Sequence, residues 1–229
     1  ANRPEHVAAV TSCQRHPDYG LIPGTDVAFC HLATPVHDVP IVPVMSKCEA
    51  DWLLHDGAAV TLVGFGGTDD EGRGGGIKRS VEVRLEGLLA QGRELVVGTR
   101  ERGACHGDSG GPAFFKMPDG TWRTIGVSSR MGPSPDDAAP TSCRSTSVYA
   151  SLPGNLAWLE QTSGIDWTPC HDAQGWTSGP QCRDFPYAPQ AQGFWKLQCA
   201  SPRSTPTATC APSPAATDPS AVGPQPTMD

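Results

Sequence analysis

The sequence predicts an all-β fold, and three observations carry that prediction. Short apolar runs recur between turn signals from Val7 to Val127. The 229-residue chain holds 26 glycines and 23 prolines. Long helical patterns are few. Many short strands separated by Gly- and Pro-rich turns are the pattern of a sandwich or a barrel.

The expected strands, in order, are Val7–Val10, Asp26–Leu32, Val39–Val44, Val60–Phe65, Val81–Leu89, Leu95–Val97, Pro112–Phe115 and Thr124–Val127. One helix is expected after them. Ser151-Leu152-Pro153 supplies a cap and an early proline, Leu152, Leu156 and Leu159 share a face, and Gly164 stops it. Composition shifts near Ile165, so residues 1–164 are expected to form one packed domain. Residues 165–210 are rich in Trp, Gly and Pro and hold Cys170, Cys182, Cys199 and Cys210. So short a segment has little core, and two disulfides would staple it in one of three connectivities. Trp167, Trp176 and Trp195 would form its core or offer binding aromatics. Residues 211–229 are mostly Pro, Ala, Ser and Thr and are expected to be a disordered tail.

The net charge is -7, with 17 Lys and Arg scattered along the chain, so nucleic acid is not an expected partner. No apolar run approaches the roughly 20 residues of a membrane helix. The first six residues have no apolar core and read as a processed or truncated end rather than a signal peptide. The nine cysteines include no Cys-x-x-Cys pair, so disulfides are expected and the protein is placed outside the cytoplasm, extracellular or periplasmic. Their odd number leaves one thiol over. No cofactor is expected. Asp69-Asp70-Glu71 reads as a solvated acidic turn rather than a calcium site, and no metal ligand set is proposed.

The most informative stretch is Cys105-His106-Gly107-Asp108-Ser109-Gly110-Gly111-Pro112. A serine becomes a useful nucleophile when a base takes its proton and donors stabilise the oxyanion. Here the backbone N–H groups of Gly107 and Ser109 are the expected donors, and the lack of a Cβ at Gly107 lets a substrate carbonyl approach. Asp108 would be buried and therefore needs a partner.

This segment resembles the active-site signature of the chymotrypsin/trypsin family of serine proteases. Other stretches match in the same order. His16-Pro17-Asp18-Tyr19 followed by Thr25-Asp26-Val27-Ala28 is similar to the run into the strand bearing the catalytic Asp. Val63-Gly64-Phe65-Gly66 resembles the opening strand of the second barrel, Gly126-Val127-Ser128-Ser129 the strand that pairs with substrate, and Ser147-Val148-Tyr149 with Leu156-Ala157-Trp158-Leu159 the closing strand and helix. The resemblance implies a chymotrypsin-like double β-barrel, the first barrel incomplete, with a short C-terminal helix and a Cys-rich tail. A secreted, bacterial-type member is the expectation.

Its implications are an endopeptidase acting on protein or peptide substrates, with Ser109 as nucleophile and Asp26 as the carboxylate that orients an imidazole. The order Asp26 then Ser109 excludes the α/β-hydrolase order. A subtilisin-like order would nominate His55, but neither the motif nor the β pattern fits it. The remaining order places the histidine about 45 residues before the Asp, and 25 residues precede Asp26. His6 and His16 read as surface groups, so the catalytic histidine is expected upstream of Ala1, and Cys13 is expected to have lost a partner there. This chain alone is expected to have little activity.

By resemblance, Gly103 lies at the base of the specificity pocket, with Ser128, Arg130 and Ser147 near its walls. Gly103 offers no carboxylate, so no preference for Lys or Arg is expected. Small or apolar side chains are the alternative, with Arg130 narrowing the pocket or favouring acidic ones. The expected disulfides are Cys105–Cys143 and Cys30–Cys48. A monomer is expected. The competing function is a catalytically inactive homologue that binds or regulates.

Overall fold

The computed structural model describes residues 7–36, 42–118, 120, 122–132, 143–165, 167–168, 171–172 and 175–176. Its centre is a closed antiparallel barrel of six strands in the order β3-β4-β5-β8-β7-β6. These are β3 (Ala59–Gly64), β4 (Arg79–Leu89), β5 (Glu94–Val97), β6 (Pro112–Lys116), β7 (Trp122–Met131) and β8 (Ser147–Ser151). The short apolar runs that predicted them alternate in burial. Val60 and Leu62 of β3, Val83 and Leu85 of β4, and Ala113 and Phe115 of β6 point into the core, and the residues between them point out. Each fully buried Leu or Val of this set contributes on the order of 1.5–3 kcal/mol. Closure leaves no free strand edge.

Two further strands, β1 (Val10–Arg15) and β2 (Ala28–Leu32), form a separate antiparallel pair. Every residue of β1 is exposed. Val27 and Phe29 turn inward and join a second core with Leu152, Leu156 and Leu159 of α2 (Leu152–Ser163). Helix α2 starts at the Ser151 cap, whose hydroxyl accepts from Gly154 N–H, and stops at Gly164 in the left-handed region. The fold is thus mostly β with one short C-terminal helix, as the sequence implied.

The chain past Ile165 continues onto this core. Trp167 packs against Phe29 with ring centroids 6.1 Å apart and donates its Nε1–H to Ser163 Oγ at 2.9 Å. Thr168 is fully buried. Beyond it, two short strands pair, β9 (His171–Asp172) and β10 (Gly175–Trp176). The expected staples Cys170, Cys182, Cys199 and Cys210, Trp195, and the expected tail at 211–229 lie outside the described residues.

Three expectations are corrected. First, Cys30 is bonded to Cys13 and therefore not to Cys48. The two residues face each other across β1 and β2 with Cα atoms 4.0 Å apart, so strand register brings them together and Cys13 is not left over. Second, Val39–Val44 is no strand where it is described. Val44 makes one isolated bridge to Thr124, and the neighbouring Pro43 has no N–H to extend a ladder.

Third, a second helix exists, α1 (Lys47–Leu53). Ser46 and Glu49 form a capping box, and the Ser-x-x-Glu spacing was its available signal. Glu49 also meets Arg123 of β7 at 3.3 Å, with both side chains about fully buried, 0% and 1% exposed. This pair fixes α1 against the barrel.

Candidate active site

The turn that carries Ser109 is built from its glycines and its one carboxylate. It lies between β5 and β6, closed by Asp108 N–H to Cys105 carbonyl at 3.0 Å and Gly111 N–H to Asp108 carbonyl at 2.8 Å. Gly107 has φ of 94°, a conformation that costs a side-chain-bearing residue energy. Half-buried Asp108 accepts from Gly66 N–H at 2.7 Å on Oδ1 and from Cys105 N–H at 2.9 Å on Oδ2. The partner that a sequestered carboxylate requires is therefore backbone. A Cβ at Gly64 would sit 1.9 Å from Asp108 Oδ1, so a side chain there would displace the Asp108 carboxylate. The Cys105–Cys143 disulfide ties the turn to the segment leading into β8.

This scaffold leaves Ser109 exposed. Among the described residues, the N–H groups of Gly107 and Ser109 make no hydrogen bond, whereas those of Asp108, Gly110 and Gly111 all do. Two unengaged donors beside an exposed hydroxyl are what an oxyanion would require.

Asp26 stands just before β2 and is exposed. Its Oδ2 accepts from Ser129 Oγ at 2.7 Å. The Ser109 turn docks on the neighbouring residue of the same strand, with Gly110 N–H donating to Ser128 carbonyl at 2.9 Å and Ser128 N–H to Gly111 carbonyl at 2.9 Å. Adjacent residues of β7 thus hold both candidates. Sequence reasoning assigned Ser128 and missed Ser129, because two consecutive serines give no sign of which one faces Asp26.

No described histidine hydrogen-bonds Asp26 or Ser109. The His16 ring packs on Trp158 with centroids 4.8 Å apart, and its Nδ1 accepts from Asp18 N–H, a structural role. His55 is exposed just after α1, with Nδ1 3.0 Å from the Asp56 carbonyl. His6 lies outside the described residues. His106 groups with Asp70 and Cys143, but that sulfur is in a disulfide and Asp70 accepts from Cys143 N–H at 2.6 Å. In the acidic turn, Asp69 pairs with Arg73 at 2.6 Å, and that hydrogen bond holds its carboxyl below the ordinary value.

A cavity of about 400 Å³ opens beside Ser109, lined by Ala104, Gly107, Ser128, Ser129 and Arg130 among others. Gly103 lines a different cavity of about 320 Å³, shared with Asp108 and Tyr149. Ser147 is buried and its hydroxyl accepts from Ala104 N–H at 3.1 Å. Of the four residues assigned to the specificity pocket, Ser128 and Arg130 therefore share the cavity with Ser109. Arg130 is not free there. Its guanidinium makes a two-pronged pair with Glu94, at 2.7 and 2.9 Å. The bond to Arg130 holds the Glu94 carboxyl below its usual range, and the same bond holds Arg130 up. Glu94 was not singled out in the sequence, since a lone Glu at a strand start carries no signal.

Comparison with known proteins places the chain in a family. The chain is 30% identical over 151 residues to Suppressor of tumorigenicity 14 protein homolog of Bos taurus, covering 61% of this chain and 17% of that protein. It is 27% identical over 176 residues to Phenoloxidase-activating enzyme 1 of Spodoptera litura, covering 71% and 45%. The chain thus spans less than half the length of either relative. Both relatives are animal proteins and lend no support to a bacterial source. The trypsin family profile matches residues 1–152. By that match, across most of the described fold, the chain belongs to the trypsin family.

Proposed function

We propose that this protein is a secreted serine endopeptidase that cleaves peptide bonds through an acyl-enzyme at Ser109. The observation that carries the reading is the pair of unengaged N–H groups of Gly107 and Ser109 beside an exposed Ser109, with Asp26 held on the adjoining strand residue. The Ser109 hydroxyl would attack the substrate carbonyl while an imidazole, oriented by Asp26, takes the proton. The two amides would receive the resulting oxyanion, and the imidazolium would then protonate the leaving amine. That imidazole comes from outside the described residues. The 165–210 segment is read as an appended disulfide module.

The selectivity reading also sharpens. Gly103 offers no carboxylate to a basic side chain, and Glu94 already neutralises Arg130. Small or apolar side chains fit this better than basic or acidic ones.

The test is fluorophosphonate labelling of the natural-length protein. Labelling at Ser109 is expected, with Ser109→Ala losing peptide hydrolysis by at least about a thousandfold. The 229-residue chain alone is expected to label slowly. Rapid stoichiometric labelling there would remove the need for an external imidazole. Failure of the natural-length protein to label would favour a non-catalytic binding homologue.

A further inference from the structure

Glu94 opens β5, away from the Ser109 turn in sequence, and is 3% exposed. Glu94 and the preceding Arg93 face two regions. One is Arg130 on β7, next to Ser129, whose hydroxyl holds Asp26. The other is the segment leading into Asp26. Gly24 lies so close to the residue before Glu94 that a Cβ there would meet Arg93 Cβ at 2.5 Å and the Arg93 carbonyl at 2.6 Å. The Gly24 backbone N–H also favours the ionised Glu94. Asn155 of α2 closes the contact from the other side, donating Nδ2–H to Gly24 carbonyl at 2.8 Å.

We propose that Glu94 is a positioning residue for Asp26, holding the Gly24–Asp26 segment and the Ser129–Arg130 stretch of β7 at a fixed separation. This rests on the endopeptidase reading. Glu94 touches no reacting atom. It acts on where Asp26 stands, and Asp26 in turn sets the orientation of the imidazole. A buried carboxylate with a two-pronged guanidinium partner is geometrically stiff, which suits this role better than a single surface pair would. Small displacements of such a supporting group cost catalysis disproportionately.

The experiment uses the natural-length protein with Glu94→Gln, which keeps shape and removes charge. Arg130 is half exposed, so water can solvate the cation left behind. The expected result is a kcat lower by roughly tenfold to a hundredfold with KM changed less than about twofold. Labelling by a small fluorophosphonate slows by the same factor. Amide hydrogen exchange speeds up at residues 24–27 and not in β3 or β6. Wild-type kcat, labelling and exchange would overturn the proposal, as would an effect confined to KM. Should Glu94→Gln not fold, the Glu94→Gln/Arg130→Gln pair leaves no lone charge and is expected to show the same changes. If the wild-type protein does not label at Ser109, the endopeptidase reading falls, and exchange at 24–27 in the variant decides the positioning role by itself.

Discussion

The closed barrel and the β1–β2 pair are built on different terms. The barrel has no edges, a continuous core from Met45 to Tyr149, and an internal Arg123–Glu49 lock. The β1–β2 pair has a fully exposed first strand, one disulfide and an apolar contact with α2. Ser109 and its amides belong to the first region, and Asp26 to the second. One half of the candidate site is therefore built by its own scaffold, and the other half meets Ser129 directly and, through Gly24, Asn155 and Arg93.

The comparison can be broken from the barrel side first. Glu49→Gln leaves a guanidinium buried without its carboxylate and is expected to cost about 3–5 kcal/mol. Denaturant unfolding should show one lowered midpoint for every probe. On the other side, Cys13→Ser/Cys30→Ser opens a 17-residue loop, worth about 3 kcal/mol where the pair is concerned. Hydrogen exchange should rise in β1 and β2 while the barrel amides stay protected; equal loosening of both would merge the two regions into one unit.

A third effect depends on pH. Burial above all, and the nearby Asp108 charge, push the Tyr149 hydroxyl up to about 12, while unfolding returns it to 10.0. The folded state thus keeps a proton that the unfolded state releases. Stability is fully present below pH 10.0 and declines as pH rises towards about 12, by about 3 kcal/mol in all. Thermal melts along this range should show the decline, and Tyr149→Phe should flatten it. The smallest effect is expected at the α1 surface. Lys47 pairs with Asp51 in water, and Lys47→Ala should change stability by about 0.5 kcal/mol or less.

Much of the barrel was legible because one face of each strand is apolar, and α2 because its cap, apolar face and Gly164 agree. The Ser109 turn was legible because its constraints are local. Gly107 must take a positive φ, and Asp108 must find amides close by. What was hidden is what depends on register and tertiary approach. Cys13 and Cys30 meet only because β1 and β2 pair in one alignment. The Ser129–Asp26 and Arg130–Glu94 contacts join residues 103 and 36 positions apart, and nothing within either neighbourhood announces the other.

The bond from Asn155 to Gly24 spans 131 positions. A chain made from its N-terminus presents Asp26 before the barrel strands and α2 after them. The segment before Asp26 therefore waits through the synthesis of the whole barrel for the amide that fastens it. Asp26 leaves the ribosome ahead of the barrel strands and is fastened only once α2 has followed them, so the candidate site cannot be assembled before the fold is finished.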